Sequence, residues 1–360
     1  MGGTLPLNIA LIGTLPPPVG GTSVSLRHLV RALEHRDEVR LKVVNTGGMR
    51  GAGLQGVGQF VKVLKGIYFA VRQADVVTLH VGIHALPWIG PFVVFFCSLF
   101  KKPLLIRRFG GKDHRELKGL AFQFGAWVIR HADLYLVQTK ALKKGAEAAG
   151  IDRVEWFPTT RPASEKTPAE LAEKTLCRRF IFLGHLRITK GVREVINAAE
   201  RLPAGASVSV YGPLYDALDG EIFRGCKQVQ YCGAVEPDQV PEILRGYDAL
   251  ILPTYYEGEG YPGVILEAFN AGIPVVTTTW KAIPEIVDET CGMLVPPRDA
   301  DALCRAMTRL VENDQLYRGL VEGARKRQFL FNFELWTDRF IQFCESQTKI
   351  GVTKEGKQHG

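Results

Sequence analysis

The sequence predicts an α/β protein built from two domains, each a parallel sheet covered by helices. Short β-rich apolar runs alternate with longer amphipathic stretches along the whole chain, and this alternation is typical of parallel sheets joined by helices. The 360 residues, of which 46% are hydrophobic, are too many for one ordinary domain and apolar enough to bury two cores. A polar, proline-containing stretch near the middle interrupts the alternation, so we place the domain boundary there.

The domain limits follow from where the alternation stops and restarts. We predict an N-terminal Rossmann-like domain over residues 1–162, a linker over residues 163–175 and a second Rossmann-like domain over residues 176–332. An amphipathic helix over residues 333–346 and a polar, disordered tail over residues 347–360 complete the chain. Two such sheets in tandem are expected to face each other across a cleft, because ligands bind at the carboxyl ends of parallel strands.

Five strands are predicted in each domain, with helices between them. The predicted strands are Asn8–Ile12, Leu41–Val44, Val76–Leu79, Leu104–Arg107 and Leu134–Val137, then Phe180–Leu183, Ser207–Tyr211, Gln228–Cys232, Ala249–Leu252 and Val275–Thr278. Helices are predicted over Ser23–Glu34 and Leu120–His131 in the first domain.

The positive charge is concentrated in the first domain. Residues 1–162 contain 22 Lys and Arg against 10 Asp and Glu, a net charge of +12, whereas residues 163–360 contain 23 against 27. This asymmetry indicates an anionic partner for the first domain. Because the sequence has neither zinc-finger spacing nor the aromatic motif of an RNA-binding sheet, we predict an anionic membrane surface and no nucleic acid as partner.

The most apolar stretch, Ala85–Phe100, is shorter than the roughly 20 residues that span a bilayer. Two interpretations are open: a buried helix, or an interfacial segment flanked by Lys101 and Lys102. The seven cysteines lack the paired spacing of a zinc or redox motif, and the N-terminus lacks a cationic start followed by an apolar run. We therefore expect reduced thiols and a cytoplasmic protein, peripheral at the inner face of the membrane.

The segment most indicative of chemistry is residues 253–267, PTYYEGEGYPGVILE, directly after the strand Ala249–Leu252. Its glycines let the backbone approach a ligand, and a helix beginning near Gly263 points N–H groups at the turn, which suits a diphosphate. Glu259 and Glu267 lie eight residues apart, one in the turn and one in the helix, so both can accept hydrogen bonds from vicinal hydroxyls. The alternative is that neither glutamate binds a ligand. It is disfavoured, because a charged Glu267 on a largely apolar helix would then have no role.

This motif, with its continuation AFNAGIPVVTT over Ala268–Thr278, resembles glycosyltransferase family 4, the group 1 glycosyltransferases, which are retaining enzymes. The resemblance covers nearly the whole chain and implies the GT-B fold, two Rossmann-like domains that face each other across a cleft. It also implies that Glu259 contacts hydroxyls of the transferred sugar and that Glu267 holds the donor ribose. The turn residues that it places at the donor are Gly260, Tyr261, Pro262 and Gly263.

A second match is FLGHLRITKGV over Phe182–Val192, where a strand runs into a basic loop. Arg187 and Lys190 can neutralise a pyrophosphate, on which negative charge develops as it leaves. The family usually has arginine directly after the glycine of this motif, whereas this chain has His185 there, so we predict Arg187 as the substitute. The alternative is a solvated basic turn.

The segment LIGTLPPPVGGTSVSLRHLV over Leu11–Val30 combines a strand, a proline-rich turn and Gly20-Gly21 before a helix that Thr22 or Ser23 is predicted to cap. It resembles the family's glycine loop, whose backbone amides approach the donor phosphate or the acceptor. It is not the three-glycine dinucleotide fingerprint, so a nicotinamide enzyme is not favoured.

The acceptor side is predicted from IRRFGGKDH, residues 106–114. Family members often carry a histidine before a glycine here, facing the reacting sugar, and Phe109 occupies its place in this chain. The further candidates are Asp113, His114, His80 and His84. For the last two, the alternative is a purely structural role.

The sequence Asp299-Ala300-Asp301 has the acid–x–acid form of metal-dependent transferases. We interpret it as a helix start, because Asp299 can cap a helix and Asp301 favours its first turn. No metal site and no cofactor are predicted, since Arg187, Lys190 and helix N–H groups can supply the positive charge. The nucleoside-diphosphate sugar is then the donor substrate.

The predicted function is transfer of a sugar from a nucleoside diphosphate to a hydroxyl of a glycan or lipid-linked sugar. The resemblance implies retention of configuration, and UDP more often than GDP as the carrier. No side chain stands out as a covalent nucleophile, so the hypothesis is same-face attack with a leaving phosphate oxygen accepting the acceptor's proton. Two alternatives are a GT-B epimerase of nucleotide sugars and a non-catalytic nucleotide- or carbohydrate-binding protein.

Overall fold

The computed structural model describes residues 5–47, 53–162, 174–216 and 218–355. They form two compact units. The N-terminal unit ends at Thr159 and resumes at Phe333, and the C-terminal unit is Thr160–Asn332. The C-terminal helix predicted from residue 333 therefore belongs to the N-terminal unit.

The described part of the N-terminal unit contains six strands in one parallel sheet. The strands are β1 Leu7–Gly13, β2 Val39–Asn45, β3 Val76–Gly82, β4 Leu104–Phe109, β5 Leu134–Val137 and β6 Val154–Trp156. Their order across the sheet is β2-β1-β3-β4-β5-β6. The helices between them are α1 Gly21–Glu34, α2 Gly53–Gln73, α3 Leu86–Leu99, α4 Gly119–Arg130 and α5 Lys140–Ala148. Every residue of β4 is buried, because helices cover both faces of a sheet of this type.

The described part of the C-terminal unit repeats this architecture. Its strands are β7 Arg179–Leu183, β8 Ser207–Tyr211, β9 Val229–Tyr231, β10 Ala249–Leu252, β11 Val275–Thr278 and β12 Gly292–Val295. They form a parallel sheet in the order β12-β11-β10-β7-β8-β9. Its helices are α6 Val192–Ala199, α7 Val240–Arg245, α8 Gly263–Asn270, α9 Ala300–Glu312 and α10 Asp314–Arg327. The last helix of the chain, α11, spans Phe333–Glu355.

All ten predicted strands are present, and two strands were missed. The missed strands, β6 and β12, are edge strands of three and four residues, of which only some are buried, so they lack a clear apolar signal. Of the predicted linker, residues 163–173 lie outside the described residues.

The prediction of a disordered tail from residue 347 is wrong up to residue 355, because α11 continues to Glu355. Its buried side chains, Phe340, Ile341 and Cys344, join the cluster beneath β1 and α1. They anchor the helix, and backbone hydrogen bonds propagate it into a polar sequence that has no apolar period of its own. Residues 356–360 lie outside the described residues.

The apolar run Ala85–Phe100 forms α3, which is buried on one side and exposed on the other. Leu86, Ile89 and Val93 are buried in the core of the N-terminal unit, whereas Trp88 on the other side is exposed. Among the described residues, no helix combines the length and apolarity needed to cross a membrane. All seven cysteines are free thiols.

A close approach of two backbones joins the carboxyl ends of β7 and β8. Gly212 follows β8 with a φ of +141°, and a Cβ there would lie 1.8 Å from the carbonyl oxygen of Gly184. An L-amino acid at position 212 would be strained and would also collide with the main chain.

We expect Gly212→Ala to lower the free energy of unfolding by about 3 kcal/mol or more, because the backbone must move to relieve the collision. Gly205→Ala is the matched control. Its φ is also positive, +84°, but no described atom lies within 4 Å of a Cβ there, so a loss of about 1–2 kcal/mol is expected. Urea unfolding followed by circular dichroism measures both. Equal losses in the two variants would show that the close contact with Gly184 does not add to the loss of stability.

Candidate functional site

The topology of the C-terminal sheet places two loops side by side at its carboxyl edge. The chain proceeds from β7 to β8 on one side and from β10 to β11 on the other, so β7 and β10 are neighbours where the order reverses. Crevices for ligands in open α/β sheets form at such a switch point. The loop after β7 carries Lys190 and the loop after β10 carries Glu259.

Lys190 and Glu259, both predicted as catalytic, contact each other directly. The Lys190 ammonium donates to Glu259 Oε2 at 2.5 Å, and the Thr254 hydroxyl donates to the same oxygen at 2.7 Å. The Glu259 side chain is only 8% exposed and the Lys190 side chain 17%. A carboxylate this buried needs such partners. The two hydrogen bonds hold it in one orientation at the sheet edge.

The same two loops are also joined through their backbones. Tyr255 N donates to the carbonyl oxygen of Thr189 at 2.8 Å. Gly191 has a φ of +83°, and a Cβ there would lie 2.4 Å from the carbonyl oxygen of Pro253, so this approach requires glycine. Backbone packing therefore positions Lys190, which lies between Thr189 and Gly191.

Arg187 is paired in a more exposed environment. Its Nη1 donates to Asp216 Oδ1 at 3.0 Å, and its guanidinium carbon lies 4.4 Å from the centre of the Tyr215 ring. The two charged side chains are 34% and 33% exposed. An ion pair with this exposure contributes little to stability, so the Arg187 charge can change partners at small cost.

His185 occupies the position where the resembled family usually has arginine. Its ring centre lies 4.7 Å from that of Tyr215. Burial lowers the pKa of His185 below its ordinary value, and the charges of Lys190 and Arg187 lower it further. The imidazole is therefore neutral at pH 7, and the positive charge of this loop comes from Arg187 and Lys190.

Glu267 forms an ion pair that the sequence analysis missed. Its Oε1 accepts a hydrogen bond from Arg161 Nε at 2.6 Å, and the two side chains are 17% and 5% exposed. A Cβ on Gly263 would lie 2.0 Å from Arg161 Nη2, so the first glycine of α8 leaves room for the guanidinium. The sequence signal was weak, because Arg161 lies in a segment without periodicity and 106 residues from its partner.

The other predicted donor residues form the turn into α8. Gly260, Tyr261 and Pro262 are buried, and the Tyr261 hydroxyl donates to Glu285 Oε2 at 2.5 Å. Helix α8 begins at Gly263 with Pro262 as its N-cap. The first N–H groups of α8 therefore lie at the same edge of the sheet as Glu259, which agrees with the predicted anion site.

In the N-terminal unit, the predicted glycine loop follows β1 at the switch point between β1 and β3. Helix α1 begins at Gly21 with Gly20 as its N-cap, so the prediction that Thr22 or Ser23 caps it is wrong. Ser23 lies inside the first turn, where its hydroxyl oxygen accepts from Gly20 N at 3.1 Å and its hydroxyl donates to Pro18 O at 2.8 Å. No described atom lies within 4 Å of a Cβ at Gly20 or Gly21, so the loop backbone is open to approach.

Two predicted acceptor residues are packed in the core of the N-terminal unit. His80 and Phe109 are both buried, and the His80 ring lies 5.6 Å from the ring of Phe340. Burial and the charge of Arg107 lower the pKa of His80 well below its usual value. Because β3 and β4 are central strands, this placement favours the structural role for His80 over an acceptor contact.

The remaining acceptor candidates lie in loops. Asp113 accepts two hydrogen bonds of 3.0 Å from the guanidinium of Arg115, one on each carboxylate oxygen, a bidentate pair that fixes its orientation. His84 is exposed after β3. The side chain of His114 lies outside the described residues.

The interpretation of Asp299 as a helix cap is confirmed. Its Oδ1 accepts from Ala302 N at 2.8 Å at the start of α9, and Asp301 pairs with Arg201 at 2.5 Å. Over the ranges that the structure describes, no three His, Cys, Asp or Glu side chains are grouped as in a metal site.

Residues 177–313 match the sequence profile of the family described as Glycosyl transferases group 1. We call this matched segment, residues 177–313, the group 1 domain. The matched segment contains eight of the predicted site residues: Arg187, Lys190, Glu259, Gly260, Tyr261, Pro262, Gly263 and Glu267. Arg161, the partner of Glu267, lies outside the matched segment.

The chain is also similar to proteins that are named as sugar transferases. O-antigen chain mannosyltransferase B of Escherichia coli is 27% identical over 145 residues, which are 37% of this chain and 37% of the relative, well under two thirds of its length. D-rhamnosyltransferase WbpZ of Pseudomonas aeruginosa is 24% identical over 291 residues, 76% of this chain and 74% of that protein.

A solved structure shows the fold. Anabaena Alr3699/HepE in complex with UDP is similar to this chain with a TM-score of 0.75 and 16% identity, over 94% of this chain and all of the other. At this low identity the similarity is evidence for the fold alone. The predicted GT-B fold is confirmed.

Arg161→Met should lower the free energy of unfolding by about 2–3 kcal/mol, because it leaves the carboxylate of Glu267 without its cation. Arg187→Met is the matched control, since it breaks an ion pair that is one-third exposed, and a loss under about 1 kcal/mol is expected. Urea unfolding followed by circular dichroism distinguishes the two. If the Arg161 variant is no less stable than the Arg187 variant, the buried ion pair is not a structural element.

Proposed function

We propose that the protein is a retaining glycosyltransferase that transfers a sugar from a nucleoside diphosphate to a hydroxyl of a glycan or lipid-linked sugar. The observation that carries the proposal is the Lys190–Glu259 ion pair at the switch point of the group 1 domain. A cation for a diphosphate and a carboxylate for sugar hydroxyls meet there at the helix start of α8.

The leaving diphosphate is stabilised by positive charge from the loop after β7. When the donor binds, Lys190 contacts one phosphate oxygen and keeps part of its interaction with Glu259. Arg187 leaves Asp216 and contacts another phosphate oxygen. This exchange is cheap, because that pair is one-third exposed. Charge stabilisation that grows as the diphosphate departs lowers the barrier without requiring tighter binding of the substrate.

Glu267 holds the ribose of the donor, and Arg161 orients Glu267 for that contact. The ion pair uses Glu267 Oε1, and a carboxylate has lone pairs for further donors. Glu259 has the same property, with Lys190 and Thr254 both bound to Oε2. In each case the cation sets the position of the carboxylate, and the remaining acceptor sites serve the hydroxyls of the donor.

The transfer proceeds on one face of the sugar. The bond between the anomeric carbon and the diphosphate oxygen breaks while the acceptor oxygen bonds to the same carbon from the same side. The acceptor's proton passes to the departing phosphate oxygen, so the products are the glycoside and the nucleoside diphosphate. This balance needs no metal, since Arg187, Lys190 and the N–H groups of α8 provide the positive charge.

The donor carrier that we propose is UDP. The Anabaena structure that is similar to this chain is a complex with UDP. The acceptor that we propose is a growing surface polysaccharide or its lipid-linked precursor, because one relative is named an O-antigen chain mannosyltransferase. A panel of nucleotide sugars, with the anomeric configuration of the product read by NMR, tests donor and stereochemistry together.

The two motif glutamates should respond differently to the same substitution. Glu267→Gln should weaken UDP binding about tenfold, because a hydrogen bond to a charged group becomes a neutral one. Glu259→Gln should leave UDP affinity nearly unchanged and lower kcat about a hundredfold, because its contacts are to the sugar and to Lys190. Calorimetry with UDP and steady-state transfer assays give the two values. Equal effects of both substitutions on UDP affinity would contradict the assignment of separate ribose and sugar contacts.

Chelation with EDTA should leave the transfer rate within about twofold of its untreated value, because protein cations provide the charge stabilisation. The measurement is a transfer assay before and after dialysis against EDTA, with a known metal-dependent transferase treated in parallel. Loss of activity that magnesium or manganese restores would overturn the metal-independent mechanism.

A further inference from the structure

The outer side of α3 carries large apolar side chains where a surface helix normally carries polar ones. Trp88, Phe92, Phe95 and Leu99 follow one another at spacings of four, three and four residues, so they line one side of the helix. All four are exposed, Trp88 by 71% and Phe95 by 60%. The opposite side of α3 is buried in the core, so the exposed stripe is not needed for folding.

The neighbouring helices α2 and α4 extend this apolar surface. Phe60 of α2 stacks edge-on against Phe92 at 5.4 Å between ring centres. Gly90 of α3 packs so closely on Val128 of α4 that a Cβ would lie 2.7 Å from it. Of the 18 exposed large apolar side chains in the described chain, 11 belong to these three helices. We call these 11 side chains the α2–α4 face; it exceeds the scattered apolar exposure that is normal for a soluble surface.

The charged side chains within α2, α3 and α4 have a single sign. Within the bounds of α2, α3 and α4 the sequence has no aspartate and no glutamate, whereas it has four basic residues. Lys101, Lys102 and Lys118 follow or precede these helices directly. An apolar surface with a basic rim is complementary to the headgroups and upper acyl chains of an anionic lipid layer.

We propose that the α2–α4 face docks the protein on an anionic bilayer, with α3 lying in the plane of the interface. Helix α3 has 14 residues, about 21 Å, and is too short to cross the roughly 30 Å hydrocarbon layer. Two exposed tryptophans, Trp88 and Trp127, suit the interfacial region, where indole rings prefer to lie. A second copy of the chain fits less well, because a symmetric dimer through this face would oppose two basic rims.

The proposal is tested by co-sedimentation of the full chain with phosphatidylcholine–phosphatidylglycerol vesicles, without donor or acceptor. Phe95→Ser should lower the partition coefficient about tenfold or more. Phe329→Ser is the matched control, because Phe329 is 61% exposed in the C-terminal unit, and it should have no effect. Lys101→Gln and Lys102→Gln should each reduce binding about fivefold, with Lys227→Gln as the control.

Brominated acyl chains should quench tryptophan fluorescence of the wild type, and Trp88→Ser should remove much of that quenching. Melting curves of the variants confirm that they are folded. Equal binding of wild type and Phe95→Ser, equal effects of the matched controls, or a concentration-dependent dimer that Phe95→Ser dissociates would each overturn the proposal. Because the assay contains no sugar nucleotide, its outcome is separate from that of the proposed glycosyltransferase activity.

Discussion

The candidate site depends on the pairing of β7 with β10. Phe180 and Ile181 of β7 lie opposite Ala249 and Leu250 of β10, although some 69 residues separate the loops that follow these strands. Parallel pairing brings both carboxyl ends to one edge, and the reversal of strand order opens a crevice between the loops. The backbone contacts between the two loops and the ion pair between Lys190 and Glu259 both depend on this strand pairing.

Charge neutralisation is the second constraint on the group 1 domain. Each motif glutamate has one cation: Lys190 for Glu259 and Arg161 for Glu267. Buried carboxylates would be costly without these partners, because the interior solvates charge poorly. The partners also make the carboxylates rigid, and a rigid acceptor pays less entropy when a hydroxyl binds it. The ion pair of Arg187 is one-third exposed, so Arg187 can change partners more easily than the cations of the two buried pairs.

The N-terminal unit shows a different balance between folding and surface chemistry. Its central strand β4 is buried along its entire length, including Arg107 and Arg108. The Arg107 guanidinium lies over the rings of Phe109 and Phe157 at 4.7 and 4.3 Å, so aromatic faces stabilise a charge inside the core. The basic side chains of this unit thus lie in two different environments. Some of its basic side chains are buried in the core, and others surround the α2–α4 face, whose exposure to water is unfavourable.

The sequence by itself determined the α/β class, ten of the strands and the motif glutamates, because apolar periodicity and glycine-rich turns are local signals. It missed the edge strands β6 and β12, which are short and half-buried, and it stopped α11 too early because polar residues continue that helix without a period. It named His80 and Phe109 as acceptor candidates, and the structure buries both of them in central strands. Only the tertiary structure decided which cation meets which carboxylate. The Arg161–Glu267 contact spans 106 residues, and no local pattern encodes a pairing that strand order and loop packing create.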